Sequence, residues 1–188
     1  MANSRTAART IDRQREAERA KYLRLATERE GYGTTNHGRY AYATVIEWQP
    51  RFVVDLGCGD NAFIRELRRR GIDGLGIDFA NDDADIVAAM HCVPLASGIA
   101  DVVASFDALE HLLPEDVDPV LTEMRRLGRS GGYFIFSIST RPSRITVDGA
   151  NLHPTVRPQD WWADRISRVG RVESACSRGQ YITGTWHA

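Results

Sequence analysis

The sequence predicts an α/β fold in which a mostly parallel sheet is covered by helices on both faces. Short apolar runs such as 52–56 alternate with amphipathic helical segments such as 61–70. Strands that alternate with helices at this spacing imply a parallel sheet covered on both faces. The helix expected between the second and third strands is short, since only Ala80 to Ala84 remain for it. The chain has 188 residues, a length that suits one domain with a sizeable core.

The predicted elements follow one another along the chain at regular spacing. Strands are predicted at 52–56, 75–78, 85–90, 101–106 and 133–138, helices at 61–70 and from Asp118 to Leu127, a helix within 157–169, and closing strands at 172–177 and 181–186. A charged helix over 10–30 and a short helix over 39–48 come first. We therefore divide the chain into an N-terminal helical or lid segment, residues 1–48, and a main domain, residues 49–188.

The first helix has a weak apolar stripe. Ile11, Ala20, Leu23 and Ala26 recur at roughly helical spacing and predict the face that packs on the domain. Its many arginines and glutamates are interpreted as a solvated face, with nucleic-acid contact as the alternative.

Composition excludes several function classes. The formal net charge is -1, so no global basic field points to nucleic acid. The three cysteines form no C-x-x-C pair, so neither a disulfide framework nor a metal site is predicted, and a reducing cytoplasm is expected. No apolar run approaches the roughly 18 residues that a membrane helix requires, and no apolar signal-peptide stretch is present.

The turn after the first strand carries the strongest functional signal. The strand Val53–Leu56 ends at Gly57 and Gly59 and passes directly into a helix. Glycine permits a sharp turn and lets a ligand approach the main chain closely. In open α/β sheets, ligands bind beyond the carboxyl ends of the strands. A small-molecule ligand is therefore predicted here.

Two ligand classes compete for this turn. Residues 57–62 match the G-x-G-x-x-G/A dinucleotide fingerprint, and Asp78 could hold ribose hydroxyls in either case. Asp55 and Asp60, however, would repel a pyrophosphate and suit a ligand that carries a sulfonium and an ammonium. Too little chain follows the fifth strand for the separate substrate domain of a nicotinamide oxidoreductase. A sulfonium ligand is favoured.

An ordered set of motifs then carries a family resemblance. The set comprises Asp55-Leu56-Gly57-Cys58-Gly59-Asp60, Gly76-Ile77-Asp78, Pro94-Leu95 with Ala100-Asp101-Val102-Val103, Phe106-Asp107-Ala108-Leu109-Glu110-His111, and Gly131-Gly132-Tyr133. In this order across about residues 50 to 140, it resembles class I S-adenosylmethionine-dependent methyltransferases. The resemblance implies a Rossmann-like seven-stranded sheet with its last strand antiparallel and S-adenosylmethionine as cofactor.

The resemblance also implies roles for individual residues. Asp55, Gly57 and Gly59 would surround the methionine part of the cofactor, and Phe106 and Asp107 would border the same part. Asp78 would hold the ribose. Phe79 would pack against the face of the adenine, and Met90 and His91 would lie at its edge. Ala89 stands where family members often have an aspartate that contacts the adenine amino group. The backbone or Asp85 could replace that contact.

Methyl transfer mainly requires that the acceptor be positioned and, for a hydroxyl or protonated amine, deprotonated. Histidine titrates near neutral pH, so His111, His37 and His153 are the candidate bases. His111 follows the fourth strand, His37 lies in a glycine-rich loop, and His153 lies in the insertion after the fifth strand. That region also contains three arginines and two tryptophans that allow two interpretations: Arg141, Arg144, Arg157, Trp161 and Trp162. They could form an anion-binding rim, or a tryptophan could pack the helix onto the sheet while the arginines are exposed to solvent.

A small-molecule acceptor, methylated at oxygen or nitrogen, is predicted because no large recognition domain is present. Two alternatives stay open: a nucleic-acid or modified-nucleotide acceptor contacted by the arginine-rich helix, and a cofactor-binding regulatory protein without turnover. A homodimer is also possible on this sequence.

Overall fold

The computed structural model describes residues 2–28, 32, 34–175 and 181–187. The helices are α1 (Ala2–Glu28), α2 (Tyr42–Glu47), α3 (Ala62–Arg69), α4 (Val117–Leu127) and α5 (Gln159–Ser167). The strands are β1 (Phe52–Leu56), β2 (Asp73–Asp78), β3 (Ile86–Val87), β4 (Ala100–Phe106), β5 (Gly128–Ser137), β6 (Thr146–Val147), β7 (Ala150–Asn151), β8 (Gly170–Ala175) and β9 (Ile182–Trp186).

Seven strands form one sheet in the order β3-β2-β1-β4-β5-β9-β8. The first five are parallel to one another, and β9 runs antiparallel to both of its neighbours. The predicted α/β fold with a seven-stranded, mostly parallel sheet is confirmed. The direction of strand succession reverses between β1 and β4, so a crevice opens there at the carboxyl ends of the strands, where ligands bind in such sheets.

Each face of the sheet packs against its own helices, because successive strand residues point to opposite faces. Val54 and Leu56 of β1 belong to a core that includes residues of α4 and α5. Val53 belongs to the opposite core with Ile64 and Leu67 of α3. The central strands are therefore buried on both faces, and their carboxyl ends are held rigidly around the crevice.

The edge beyond β2 is shorter than predicted. The third strand consists of Ile86 and Val87 alone, which pair with Ile77 and Asp78 at the end of β2. The prediction of a strand over 85–90 was wrong in its length, because the chain leaves the sheet after one further backbone bond, from the Ala88 N–H to the Asp78 carbonyl.

The helix α1 differs from the prediction in its extent and its packing face. It starts at Ala2, well before residue 10. Leu23 is 39% exposed and Ala20 is exposed, whereas Tyr22 is only 7% exposed. The packing face predicted from Ala20 and Leu23 was therefore wrong, and the side chain of Ile11 lies outside the described residues. Tyr22 packs with Ala80 and Leu152 in a small third core, to which Val147 of β6 also contributes. No helix in the described part of the chain is long and apolar enough to cross a membrane.

Candidate active site

A cavity of about 830 Å³ opens at the carboxyl ends of β1, β2 and β4. Residues of helix α1 and residues 35–38 also line this cavity. All of the predicted site residues contribute to its wall: Asp55, Gly57, Gly59, Asp78, Phe79, Met90, His91, Phe106, Asp107, His37, His111 and His153. The fold thus brings together residues that are spread over more than half of the sequence.

The glycine turn has the conformation that its sequence requires. Gly57 and Gly59 have φ angles of 77° and 54°, in the left-handed region that favours glycine. A Cβ added at Gly57 would lie 2.5 Å from the Cβ of Ala108. The N–H of Gly57 donates to the carbonyl of Ile77 at 2.8 Å. These contacts place bare main chain at the cavity wall.

The cavity wall beside this turn is acidic. Asp55 is buried, and its Oδ1 has no hydrogen-bond partner among the described residues. Burial and the nearby charge of Asp78 raise the pKa of Asp55 to about 7. Asp78 accepts hydrogen bonds from the backbone N–H groups of Gly59 and Ala80. A buried carboxylate without a cation fits the sulfonium and ammonium of S-adenosylmethionine and would oppose a pyrophosphate.

Two neighbours of the turn have structural roles. Burial and the charge of Asp55 raise the pKa of the Cys58 thiol, so the sulfur stays protonated and is no nucleophile. Asp85 accepts hydrogen bonds from Asn61, Arg68 and the Gly76 N–H. Asp85 is not part of the described cavity lining. The alternative in which Asp85 contacts the adenine was therefore wrong. The segment of Ala89 and Met90 does line the cavity, so its backbone is available for that contact.

A histidine–carboxylate pair lies in the cavity wall at the end of β4. The Nδ1 of His37 lies 2.6 Å from Oδ2 of Asp107, and the Ser137 hydroxyl donates to Oδ1 of the same carboxylate at 3.0 Å. Burial opposes ionisation of Asp107, but the hydrogen bond and charge of His37 outweigh it and lower the pKa of Asp107. The pair holds the imidazole by Nδ1 and leaves Nε2 for a ligand.

The other two candidate histidines lie against each other. The rings of His111 and His153 are 4.6 Å apart between centroids and meet edge to face. Burial and the neighbouring His153 lower the pKa of His111 to about 3, with the Leu152 carbonyl opposing the shift. His111 is therefore a neutral imidazole. Its Nδ1 lies 2.8 Å from the Tyr22 hydroxyl, and Nδ1 of His153 lies 2.8 Å from the Arg141 carbonyl.

Sequence reasoning missed Tyr22 and did not select Glu110 as a site residue. Glu110 is fully buried beside the cavity, and burial together with Asp107 raises its pKa to about 8. Its Oε1 accepts from the Ser139 N–H, and its Oε2 has no partner in the described residues. A bulky aromatic within a charged helix was the one available signal for Tyr22, since such a ring is costly to leave in water.

Of the two interpretations of the arginines and tryptophans after β5, the anion-binding rim is not supported by the structure. Trp162 is fully buried in the core, and Trp161 packs under the guanidinium of Arg165 at 4.2 Å and that of Arg157 at 5.7 Å. The described cavity lining includes neither tryptophan and none of Arg141, Arg144 and Arg157. The alternative, in which a tryptophan packs the helix onto the sheet, is the one that the structure supports.

Residues 54–136 match the family model for the methyltransferase domain. Residues 54–136 therefore form a methyltransferase domain, and the fold is that of class I S-adenosylmethionine-dependent methyltransferases. The match spans β1 to β5 and includes the glycine turn, Asp78, and the Asp107 to His111 segment. No curated protein sequence matches the chain.

Solved structures share the methyltransferase fold at low sequence identity. The PH0226 protein of Pyrococcus horikoshii superposes with a TM-score of 0.67 at 16% identity, over 85% of this chain and 92% of that one. The 1,6-didemethyltoxoflavin-N1-methyltransferase of Burkholderia thailandensis, solved with 1,6-didemethyltoxoflavin and S-adenosylhomocysteine, gives 0.68 at 14% identity, over 94% and 90%. A protein of echinomycin biosynthesis gives 0.60 at 16% identity, over 78% and 82%.

These findings confirm the prediction that the protein is a methyltransferase and that its cofactor is S-adenosylmethionine. The dinucleotide-binding alternative is excluded with them. The residues of the glycine turn fit this cofactor because their unpaired carboxylate charge matches a cationic ligand.

Proposed function

We propose that this methyltransferase transfers the methyl group of S-adenosylmethionine to an oxygen or nitrogen of a small-molecule acceptor. The supporting observation is one continuous cavity of about 830 Å³ that joins the glycine turn to His37, His111 and His153. Cavities of roughly 300 to 1,000 Å³ are typical of small-molecule sites. The cofactor occupies the end at Gly57 and Asp78, and the acceptor occupies the histidine end.

The N-terminal segment, residues 1–48, acts as the lid of this cavity. Three arginines tie α1 to the body of the protein: Arg15 pairs with Asp116, Arg19 donates to the Phe79 carbonyl, and Arg24 pairs with Asp148. Because these cations are used within the chain, they are poorly placed for phosphate contacts. This favours a small acceptor over nucleic acid.

The chain's own residues then prepare the acceptor for in-line attack. The bound cofactor supplies a methyl group already activated by its positive sulfur. His37, oriented by Asp107, accepts the acceptor's proton through Nε2. His111 is a poor base because its pKa lies far below neutral pH. Binding of both ligands at defined sites within one cavity provides the alignment on which methyl transfer depends.

Two further points support turnover on a small molecule. A regulatory protein without turnover is expected to have a blocked acceptor end, whereas here the cavity extends to His111 and His153. The Burkholderia thailandensis neighbour was solved with 1,6-didemethyltoxoflavin and S-adenosylhomocysteine bound, so this fold accommodates a second ligand beside the cofactor product.

The test has two stages. Calorimetry with S-adenosylhomocysteine should show binding that Asp55→Asn weakens and the exposed control Asp73→Asn does not. Radiolabelled methyl transfer from S-adenosylmethionine is then measured into the low-molecular-mass fraction of a cell extract and, separately, into its nucleic-acid and protein fractions. Label in the low-molecular-mass fraction supports the proposal. Label only in macromolecules, or binding with no transfer into any fraction, overturns it.

A further inference from the structure

We propose that Glu110, His111 and His153 form a binding site for a divalent transition-metal ion at the acceptor end of the cavity. Each of the three side chains offers a ligand atom, and these atoms lie within 4.8 Å of one another. All three residues line the cavity that holds the cofactor-binding turn. Two imidazoles and one carboxylate are a ligand set that divalent transition ions commonly use.

The bonds of His153 leave one nitrogen for the ion. Its Nδ1 lies 2.8 Å from the carbonyl oxygen of Arg141, which can only accept a hydrogen bond. The proton is therefore on Nδ1, and the lone pair is on Nε2. A histidine that binds a metal usually donates its other ring N–H to a carbonyl or carboxylate in this way.

A short relay has the same effect on His111. The Tyr22 hydroxyl donates to the Leu152 carbonyl at 3.2 Å, so its oxygen accepts from Nδ1 of His111 at 2.8 Å. This again places the proton on Nδ1 and the lone pair on Nε2. Burial favours the neutral imidazole, which is the form that binds metals. Tyr22 thus positions a metal ligand.

Glu110 supplies a buried carboxyl group with one unsatisfied oxygen. One carboxylate oxygen accepts from the Ser139 N–H at 3.0 Å, and the other has no partner within the described part of the chain, although the side chain is fully buried. A buried carboxylate without a cation is costly unless it binds a proton or a metal ion. A cation between Glu110 and the two histidines removes this cost.

The geometry requires a small adjustment. Ligand atoms around an ion with bonds of about 2.0 to 2.2 Å lie roughly 3 to 3.5 Å apart. His153 is only half-buried and can rotate toward the other two residues. Three protein ligands leave a coordination position open, as in catalytic rather than structural sites.

This inference rests on the proposed function for its chemical consequence. An ion at this position would hold the acceptor through an oxygen atom and lower the pKa of its hydroxyl. The proton leaves to His37. The oxygen electron pair then forms the bond to the methyl carbon, and the sulfonium takes the electron pair of its broken bond and becomes a neutral thioether. The acceptor class is therefore a hydroxyl compound able to coordinate a metal.

Local sequence patterns contain no signal for this metal site. Glu110 and His111 are adjacent in the chain, but His153 comes from the segment after β7, so no local spacing of ligands exists. The expectation of no metal site was based on the cysteines, and none of the three proposed ligands is a cysteine.

The experiment uses the untagged full chain, stripped with a chelator, and Co²⁺ as the metal. In the absence of cofactor and acceptor, we expect each chain to bind one Co²⁺ ion and to show visible absorption bands from it. Added Zn²⁺ should displace the Co²⁺ and abolish these bands. His153→Ala and Glu110→Gln should each weaken Co²⁺ binding by about a hundredfold or more, and Tyr22→Phe by about ten- to a hundredfold. His187→Ala, which truncates an exposed histidine near the end of the chain, is the matched control and should bind normally.

Two results would overturn the inference: no Co²⁺ binding to the wild type, or binding that both His153→Ala and Glu110→Gln retain. S-adenosylhomocysteine calorimetry on the same variants verifies that each is folded. It also separates the two proposals. Intact cofactor binding and methyl transfer without any metal binding would refute the metal site alone, whereas Co²⁺ binding without transfer into any acceptor would refute the proposed function alone.

Discussion

The hydroxyl of Tyr22 lies 2.8 Å from Nδ1 of His111, and this contact joins the first helix to the turn that follows β4. Tyr22 also donates to the Leu152 carbonyl, beside His153. The helix α1, which we propose as part of the lid, is therefore physically coupled to the end of the cavity at His111 and His153. Opening of α1 would expose the cavity and release His111 at the same time.

Tyr22→Phe should loosen the lid. The substitution keeps the buried ring but leaves the Leu152 carbonyl and Nδ1 of His111 without their partner, at a cost of about 1 to 3 kcal/mol. We expect hydrogen exchange of the α1 amides to accelerate, with a lower free energy of unfolding in urea. Leu23→Ala is the matched control, because Leu23 is exposed on the same helix and should change stability by less than about 0.5 kcal/mol. Equal behaviour of the two variants would refute the coupling.

Gly57→Ala should be more harmful than Gly71→Ala. The two glycines have almost the same φ, 77° and 79°, so alanine is strained at both by about 1 to 2 kcal/mol. Only at Gly57 does the new Cβ collide, 2.5 Å from Ala108, whereas nothing lies within 4 Å at Gly71.

The two glycine variants are compared by urea unfolding and by calorimetry with S-adenosylhomocysteine. Gly57→Ala should lose cofactor affinity as well as stability, and Gly71→Ala should lose stability alone. Undiminished affinity of Gly57→Ala would show that this turn does not approach the cofactor.

Cofactor affinity should decrease as the pH is lowered below about 7, because Asp55 becomes protonated. Its pKa is about 7 in the folded protein and 3.8 in the unfolded chain. The raised pKa favours the protonated folded state, so this contribution to stability is present at acid pH and is lost as pH rises through about 7. A cationic ligand requires the carboxylate. Below about pH 7, binding must therefore expel a proton, and the Kd should rise toward tenfold per pH unit.

Calorimetry with S-adenosylmethionine between pH 5.5 and 7 measures this dependence. Asp55→Asn should bind weakly with a flat pH profile, and the exposed Asp73→Asn should keep the wild-type slope. A wild-type profile that is already flat would mean that Asp55 does not face the cationic part of the cofactor.

His37→Gln should lower kcat by about 10² to 10⁴ with a smaller change in KM, because the proposed base is lost and the lid loop is kept. Asp107→Asn should act in the same direction, since His37 loses the carboxylate that orients it at 2.6 Å. Steady-state kinetics on the acceptor found by labelling measure both variants. His187→Gln, which changes an exposed histidine, is the control. Retained kcat in His37→Gln would assign the proton transfer to another group.

Much of the cofactor site could be predicted from sequence because its signals are local. The turn at Gly57 and Gly59 follows from a strand that runs directly into a helix, and Asp78 ends the next strand. The regular alternation of strands and helices predicted the parallel sheet, and a parallel sheet brings the carboxyl ends of its strands together. The third strand was predicted too long because its length depends on pairing with β2, which is not a local property.

The sequence by itself therefore determined the fold, the ligand-binding turn and the acidic character of that turn, because periodicity and turn chemistry act over a few residues. Only the tertiary structure decided which residues meet at the acceptor end. It paired His37 with Asp107, placed Tyr22 on His111 and gathered Glu110, His111 and His153. These contacts join segments that are distant in the chain, and they exist because α1 and the segment after β5 dock over the open end of the sheet.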